Sequence, residues 1–358
     1  KTIMPPGTHG GDIISTAGEL GCNVSDLIDM SSNLTPLATT EGLKDRIISR
    51  LDEIGFLPET GSEALCSAFA KKYGLAVDQI LAGNGTTEFI FALPRALSPK
   101  RTVIVNPTYA DYHLACNWAG IPVTGFTLSP DNGFVPDLDA LAATLTGGEL
   151  VCICNPNNPT GVLIPSDDLY ALANGRKESI FLIDESYLPF CRERSLLTYP
   201  VLDNMFILTS FSKIYGIPGL RLGFLTASEK NMRLMGERRK PWGVNRMAQV
   251  AGEYLLERAD PYVEKVITFL EQKRGPFTEQ LDRMPGVEVV PGMANFILSR
   301  LTGKIRAGEL RERLLEHRIM IRNCENFVSL DDHFFRVSLK SDTNNDFFLK
   351  TLGKILCE

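Results

Sequence analysis

The stretch Thr209-Ser-Phe-Ser-Lys213-Ile-Tyr-Gly-Ile-Pro-Gly-Leu-Arg221-Leu-Gly223 is the most informative part of this chain. It follows the apolar run 205–208, which is typical of a short buried strand, and its glycines and proline predict a loop. A lysine where a strand passes into a loop is expected beside the ligand crevice of an α/β sheet. The nearby hydroxyls and arginine offer the neutral donors and the forked cation that bind a phosphate. We therefore predict that Lys213 binds a phosphorylated aldehyde covalently; a solvated surface lysine is the alternative.

Strand-like apolar runs alternate with helix-length segments through the middle of the chain, at 79–82, 102–105, 150–154, 179–183, 205–208 and 221–225. Most of these runs are apolar along their whole length, which is the pattern of a mostly parallel sheet with helices on both faces. Polar segments follow five of the runs, beginning at Gly83, Asn106, Asn155, Asp184 and Ser210. Because ligands bind beyond the carboxyl ends of such strands, we expect the five segments to form one site.

The pattern changes after about residue 245. The sequence predicts one long helix over 247–281 and a charged helix over 305–317, with strands near 287–290, 294–298, 319–322 and 334–339. We therefore predict a large α/β domain of residues 36–245. A smaller α+β domain is predicted from residues 1–35 and 246–358.

Composition excludes several classes of protein. The 358 residues include 37 Lys+Arg against 43 Asp+Glu, so no basic excess favours nucleic acid or an anionic membrane as partner. No apolar run reaches the ~18 residues of a membrane-spanning helix, and the N-terminus lacks the apolar core of a signal peptide. Eight scattered cysteines, with Cys152 and Cys154 as the single close pair, predict reduced thiols in a cytoplasmic protein and neither a disulfide framework nor a metal centre.

The polar segments suggest how a pyridine ring would be held. Asp184 ends an apolar strand, and its carboxylate would pair with a protonated ring nitrogen, or else cap a helix. Tyr187 and Asn158 could donate to a ring oxygen, or simply pack and shape a turn, and Tyr109 could stack on the ring. Segment 83–88 offers backbone N–H groups and hydroxyls to a phosphate, although a nucleotide-binding module would use such a loop too. The cofactor predicted from this set is pyridoxal 5'-phosphate (PLP).

The order of six motifs resembles that of the fold-type I PLP enzymes, the aminotransferase class I/II superfamily, in its histidinol-phosphate aminotransferase-like branch. The motifs are Gly-Asn-Gly-Thr-Thr-Glu (83–88), Asn-Pro-Thr-Tyr (106–109), Asn-Pro-Asn-Asn-Pro-Thr-Gly (155–161), Asp-Glu-x-Tyr (184–187), Ser-x-Ser-Lys (210–213) and Gly-Leu-Arg-Leu-Gly (219–223). The resemblance implies that Lys213 is the catalytic residue. The cofactor contacts that it implies come from Gly85, Thr86, Thr87, Ser210, Ser212 and Arg221 at the phosphate and from Tyr109, Asn158, Asp184 and Tyr187 at the ring.

Segments 9–11, 81–91, 241–245, 251–253 and 319–326 further resemble the threonine-phosphate decarboxylases of this branch. This resemblance implies decarboxylation of L-threonine O-3-phosphate to (R)-1-aminopropan-2-yl phosphate in cobalamin biosynthesis. The substrate contacts that it implies come from His9, Gly10, Asn33, Asn158, Arg322 and Arg336. Two arginines suit a substrate with a carboxylate and a phosphate, although either arginine alone could be a surface ion pair.

The chain departs from the family pattern at Leu57, where relatives usually carry a tyrosine that reaches the cofactor phosphate across a dimer. Leucine cannot donate that hydrogen bond. Thr35 also replaces an asparagine that is usual in the decarboxylases. The resemblance implies a homodimer with its sites at the subunit interface. Two other functions stay open: an aminotransferase acting on a compound such as histidinol phosphate, and a PLP-binding protein without catalytic activity.

Overall fold

The structure, a computed structural model, describes residues 10–236 and 240–357. Its α-helices are α1 (Ile13–Leu20), α2 (Leu43–Ser49), α3 (Glu63–Tyr73), α4 (Thr86–Leu97), α5 (Asp111–Ala119), α6 (Leu138–Thr144), α7 (Ser166–Gly175), α8 (Glu229–Gly236), α9 (Arg246–Arg258), α10 (Asp260–Asp282), α11 (Ala307–Glu316) and α12 (Asp342–Cys357). Its strands are β1 (Ile28–Asp29), β2 (Ile80–Asn84), β3 (Thr102–Asn106), β4 (Val123–Thr127), β5 (Leu150–Cys154), β6 (Ile180–Asp184), β7 (Met205–Ser210), β8 (Leu222–Thr226), β9 (Val287–Val289), β10 (Phe296–Leu301), β11 (Ile319–Met320), β12 (Arg322–Asn323) and β13 (Phe334–Ser338).

The central sheet has seven strands in the order β2-β8-β7-β6-β5-β3-β4. Neighbouring strands from β7 through β4 pair in parallel, whereas β8 runs antiparallel to both β2 and β7. Every residue of β3, β5, β7 and β8 is buried, which explains their continuous apolar sequences. The predicted mostly parallel central sheet is therefore confirmed, with β8 as its one reversed strand.

All six strands predicted for this sheet are present, with ends within two residues of those predicted. The prediction missed β4, which lies at the edge of the sheet and pairs with β3. Thr124, Gly125 and Thr127 of this strand are exposed, and Val123 and Phe126 are partly buried. The strand therefore lacks the continuous apolar run by which the central strands were found.

The single helix predicted over 247–281 is wrong, because the structure has two helices, α9 and α10, separated at Ala259. The break coincides with Pro261, which lies in the first turn of α10. Proline has no backbone N–H and is tolerated in a first turn, where that group would have no helical partner. The apolar periodicity continues across the break. Periodicity alone therefore does not reveal that one helix ends and another begins at this point.

A second sheet is antiparallel and has four strands in the order β12-β13-β10-β9. The strand predicted over 319–322 is two short strands: β12 joins this sheet, and β11 pairs in parallel with β1. The early segment 28–29 is thereby held against the C-terminal part of the chain, and one apolar cluster runs from Met30 to Ile355 through both regions. The predicted domain limits at 35/36 and 245/246 stay a prediction.

Two negative predictions also concern the fold. Among the helices of residues 10–236 and 240–357, none has both the length and the apolar character needed to cross a membrane. All eight cysteines are free thiols, and Cys152 and Cys154 are buried within β5.

Candidate active site

Two adjoining pockets lie at the carboxyl ends of β2, β3, β5, β6 and β7. The first pocket is lined by Thr86, Thr87, Tyr109, Tyr112, Cys154, Asn158, Asp184, Ser186, Tyr187, Ser210, Ser212, Lys213 and Arg221. The second pocket is lined by Gly10, Ser31, Ser32, Asn33, Tyr109, Ala110, Asn158, Tyr187, Lys213, Arg322, Asn326, Phe327 and Arg336. Four residues line both pockets, namely Tyr109, Asn158, Tyr187 and Lys213. Molecules bound in the two pockets would therefore contact the same four side chains.

One end of the first pocket is an anion site at the start of α4. The guanidinium of Arg221 lies so close to Gly85 that a Cβ added there would be 2.6 Å from Nη2. Arg221 has a φ of +57°, a left-handed conformation that costs a non-glycine residue about 1–3 kcal/mol. Its Nη2 donates to Oγ1 of Thr87 over 3.5 Å. The glycine and the strained arginine thus place a permanent cation at a helix N-terminus, where anions bind readily.

Hydroxyl groups complete this anion site. Ser210 and Ser212 are buried and line the pocket with Thr86 and Thr87. Oγ of Ser212 has no hydrogen-bond partner within the residues that the structure describes. Because a buried hydroxyl without a partner is costly, this atom fits a site that receives the oxygens of a bound phosphate.

Asp184, at the end of β6, is a buried carboxylate with several donors. Its Oδ1 accepts hydrogen bonds from the backbone N–H of Ser186 (2.9 Å) and from the Ser186 hydroxyl (2.5 Å). Its Oδ2 accepts a hydrogen bond from the hydroxyl of Tyr112 (2.7 Å). Burial raises the pKa of Asp184, and the bonds from Ser186 and Tyr112 oppose that rise. Since a carboxylate offers about four acceptor positions, Asp184 can accept one further donor, such as a protonated ring nitrogen.

Lys213 lines the first pocket together with Asp184 and the residues of the anion site. Burial, together with the positive charges of Arg336 and Arg221, lowers the pKa of its ammonium group from 10.5 to about 8. Its backbone carbonyl accepts a hydrogen bond from the N–H of Thr35 over 3.0 Å, which fixes this turn of the chain. A lysine with such a pKa has a neutral, nucleophilic fraction near neutral pH.

Tyrosines form the walls shared by the two pockets. Tyr109 meets Tyr112 edge to face, with ring centroids 5.9 Å apart. The hydroxyl of Tyr187 accepts a hydrogen bond from Nδ2 of Asn33 (3.1 Å), and its ring packs edge to face on Phe296. The structure thus brings Asn33, from the start of the chain, onto a residue that follows β6.

Arg336, on β13, is the buried cation of the second pocket and is only 4% exposed. Its Nη1 donates to Oδ1 of Asn158, and its Nη2 donates to the carbonyl of Ser31 over 2.8 Å. Within the described part of the chain its Nε has no hydrogen-bond partner. Burial lowers its pKa, because the charged guanidinium loses hydration. A buried cation with an unused donor favours an anionic ligand.

Arg322, on β12, is the other cation of the second pocket and is 7% exposed. Its Nη2 donates to Oδ1 of Asn326 over 2.6 Å, and its guanidinium lies 5.3 Å from the ring centroid of Phe327. Burial lowers the pKa of Arg322 to about 10. The burial of both arginines disfavours the alternative that they are surface ion pairs.

Those predicted site residues that the structure describes lie in or directly beside the two pockets. All the predicted side chains of the cofactor set line the first pocket, and Gly85 lies directly against Arg221. Gly10, Asn33, Asn158, Arg322 and Arg336 line the second pocket. His9 lies outside the described residues. The individual roles assigned to these residues stay predictions.

Several lining residues were not predicted from the sequence, namely Tyr112, Ser186, Ser31, Ser32, Asn326, Phe327 and Cys154. Tyr112 lies in the first turn of α5 and Tyr109 lies before that helix, so no helical spacing marks Tyr112 as a lining residue. Asn326 binds Arg322 through a loop, and no regular spacing marks such a contact.

Leu57, the departure from the family pattern, lines neither pocket. It is 76% exposed, and the adjacent Phe56 is exposed as well. Within the single chain, therefore, Leu57 has no part in holding a ligand.

The donor set of the first pocket fits PLP. Hydroxyls, a helix N-terminus and Arg221 fit a phosphate; Asp184 fits a ring nitrogen; and Lys213 fits an aldehyde carbon. The unpaired hydroxyl of Ser212 and the space left by Gly85 are the particular features of this chain that support the fit.

Comparison with known proteins agrees with this chemistry. Residues 21–352 match the aminotransferase class I and II family. Threonine-phosphate decarboxylase of Salmonella typhimurium is 34% identical over 97% of this chain and 96% of its own length. An adenosylcobalamin biosynthesis bifunctional protein of Leptospira interrogans is 29% identical over 97% of this chain and 41% of its own length.

Two solved structures are similar to the chain along most of its length. L-threonine-O-3-phosphate decarboxylase from Porphyromonas gingivalis has a TM-score of 0.84 and 28% identity, covering 93% of this chain and 100% of its own. Histidinol-phosphate aminotransferase from Clostridium acetobutylicum has a TM-score of 0.85 and 27% identity, covering 92% of this chain and 99% of its own.

Proposed function

The chain belongs to the aminotransferase class I and II family of PLP enzymes, and from that premise we propose that it decarboxylates L-threonine O-3-phosphate to (R)-1-aminopropan-2-yl phosphate in cobalamin biosynthesis. The observation that carries the proposal is the pair of buried arginines in the second pocket, beside Lys213. Similarity along nearly the full length to a threonine-phosphate decarboxylase supports this substrate. Similarity to an adenosylcobalamin biosynthesis protein supports the pathway.

The first pocket would hold the cofactor. Thr86, Thr87, Ser210, Ser212 and Arg221 would bind its phosphate. Asp184 would bind its ring nitrogen, Asn158 and Tyr187 its ring oxygen, and Lys213 its aldehyde carbon, while Tyr109 would stack on the ring. When bound, PLP draws electrons from the bond that breaks at the α-carbon of the substrate.

The second pocket would determine which bond at the α-carbon of the substrate breaks. Arg322 and Arg336 match the two anionic groups of the substrate, its carboxylate and its phosphate. With the cofactor bound, the direction that these two arginines impose on the substrate carboxylate would decide between loss of carbon dioxide and loss of a proton. Decarboxylation breaks the bond from the α-carbon to the carboxylate, releases carbon dioxide and adds one proton to the α-carbon. Nζ of Lys213, whose pKa is lowered to about 8, would deliver that proton.

Mass spectrometry of the products tests the proposal. PLP-loaded protein is incubated with L-threonine O-3-phosphate and no keto acid, with Lys213→Ala and unphosphorylated L-threonine as controls. We expect catalytic accumulation of aminopropanol phosphate from the phosphorylated substrate and none with Lys213→Ala. Absence of that product from the wild-type reaction would refute the assigned substrate.

Transamination is the second candidate, because a histidinol-phosphate aminotransferase is as similar in structure as the decarboxylase. The same pocket would serve it, since histidinol phosphate also carries an amine and a phosphate. Conversion of PLP to pyridoxamine phosphate by histidinol phosphate, with renewed turnover on addition of a keto acid, would assign the protein to the aminotransferases.

We also propose that the active form is a homodimer in the cytoplasm. The exposed Phe56 and Leu57, with Ile54 and Leu51 in the preceding turn, form an apolar surface that suits a second copy of the chain. Sedimentation analysis is expected to give twice the chain mass of 39.6 kDa. Replacing both Phe56 and Leu57 with serine is expected to shift that mass toward the monomer, and an unchanged dimer would place the interface elsewhere.

A further inference from the structure

Tyr112 joins two residues that face the proposed cofactor. It lies in the first turn of α5 and is 2% exposed. Its hydroxyl donates to Oδ2 of Asp184 over 2.7 Å, and its ring meets that of Tyr109 at 88°. One buried side chain therefore contacts both the carboxylate assigned to the ring nitrogen and the aromatic ring assigned to stacking.

We propose that Tyr112 is a positioning residue for Asp184: its hydroxyl holds the negative charge on the carboxylate and fixes the direction in which Oδ2 faces the ring nitrogen of PLP. The proposal rests on the assignment of Asp184 to that nitrogen and is independent of which substrate the enzyme takes. A donated hydrogen bond makes a carboxylate a weaker base. The proton shared between Asp184 and the ring therefore resides on the ring nitrogen, where it strengthens the withdrawal of electrons.

The two oxygens of Asp184 are supported differently. Oδ1 has two donors from Ser186, only two residues away, so loss of the Ser186 hydroxyl leaves the backbone N–H bond in place. Oδ2 receives its bond from Tyr112, which is 72 residues away. Burial raises the pKa of Tyr112 well above its ordinary value, so the hydroxyl stays a neutral donor at any working pH. Removing it should therefore affect Asp184 more than removing the Ser186 hydroxyl.

The test compares the affinity of the protein without cofactor for PLP and for 1-deazapyridoxal phosphate, an analogue in which carbon replaces the ring nitrogen. Wild-type protein is expected to prefer PLP. Tyr112→Phe keeps the ring contact with Tyr109, removes the donor to Asp184, and is expected to reduce that preference about tenfold, as for loss of a hydrogen bond to a charged group. Ser186→Ala is expected to reduce it by a smaller factor.

Tyr254→Phe is the matched control, because it removes a tyrosine hydroxyl that donates to the carbonyl of Glu41 over 2.8 Å, outside both pockets. The preference of this control variant for PLP over the analogue should equal that of the wild type. Equal weakening of both ligands by Tyr112→Phe would mean a merely structural role and would overturn the proposal. Site-specific 3-fluorotyrosine at position 112, a stronger donor of similar size, should raise the preference. An unchanged or lower value would also overturn it.

Asp184→Asn separates this proposal from the assignment on which it rests. If the wild type and Asp184→Asn show no preference for PLP, Asp184 does not contact the ring nitrogen, and both ideas fall. If Asp184→Asn loses the preference while Tyr112→Phe keeps it, Asp184 retains its role, and the proposal for Tyr112 alone is refuted.

Discussion

The two pockets share four residues but are built in different ways. In the first pocket, the side chains follow strands of one sheet, between Thr86 and Arg221. In the second pocket, segments from the two ends of the chain meet: Arg336 donates to the carbonyl of Ser31, 305 residues away in sequence. The sheet fixes the geometry of the first pocket, whereas contacts between distant segments fix that of the second. Cofactor binding and substrate selection should therefore respond to different substitutions.

The largest expected effect comes from Lys213→Ala, because Lys213 belongs to both pockets. We expect the rate to fall on the order of a thousandfold or more, since both covalent binding of the cofactor and proton transfer are lost. Turnover and the visible absorbance of the cofactor measure this. Lys340→Ala, which removes another partly buried lysine outside both pockets, is the control and should retain both signals.

The pH response of Lys213 tests how far the two pockets are coupled through charge. Only a neutral amine reacts with an acylating reagent, so in protein without PLP the labelling of Lys213 should rise as pH increases through about 8 rather than 10.5. Arg336→Ala removes a neighbouring positive charge and should raise the midpoint. Asp184→Asn removes a negative charge and should lower it. Peptide mapping by mass spectrometry follows the label, and a wild-type midpoint near 10.5 would contradict the described environment.

Arg336→Ala should separate the two pockets most clearly. Removing one member of a buried, hydrogen-bonded charge contact costs about 2–5 kcal/mol, so kcat/KM should fall by about thirtyfold to several thousandfold. The affinity for PLP should change only a few-fold, because Arg336 does not line the first pocket. Arg300→Ala, on the exposed side of β10, is the matched control. An equal loss of PLP affinity and substrate turnover would show that the pockets are not separable.

A smaller effect is expected from Asn326→Ala, which removes the acceptor for Nη2 of Arg322. Arg322 keeps its contact with Phe327, so we expect KM to rise roughly five- to tenfold with kcat little changed. Steady-state kinetics with the phosphorylated substrate measures this. Asn323→Ala is the control, because its side chain contacts Glu325 outside the pocket; a change in kcat with constant KM would argue against a binding role for Asn326.

The same contrast explains what could be predicted from the sequence. The first pocket follows buried strands whose apolar runs are continuous, so Asp184 and Lys213 could be placed at one edge of the sheet before any coordinates. Tyr112 was not predicted as a site residue because it acts through a contact with Asp184, and no local sequence pattern indicates that contact. The residues of the second pocket were found through resemblance, since nothing local to Asn33 or Arg336 indicates that the two segments meet.

Errors in the fold have related causes. β4 was missed because an edge strand needs no continuous apolar run, and the break at Ala259 was missed because apolar periodicity persists through it. Neither β4 nor Ala259 lines a pocket, so these two errors do not affect which predicted residues lie together in the pockets.

The pairing of β1 with β11 sets an order in which parts of the structure can form while the chain is being synthesised. Ile28 pairs with Ile319, so the earlier strand leaves the ribosome 291 residues before its partner exists. At about 5–20 residues per second, that interval is roughly 15–60 s. All seven strands of the central sheet have been synthesised by Thr226, about two-thirds of the way through that interval. A nascent chain therefore contains the lining residues of the first pocket, from Thr86 to Arg221, before Arg336, the partner of Ser31 in the second pocket, has been synthesised. We expect the first pocket to be able to form earlier than the second.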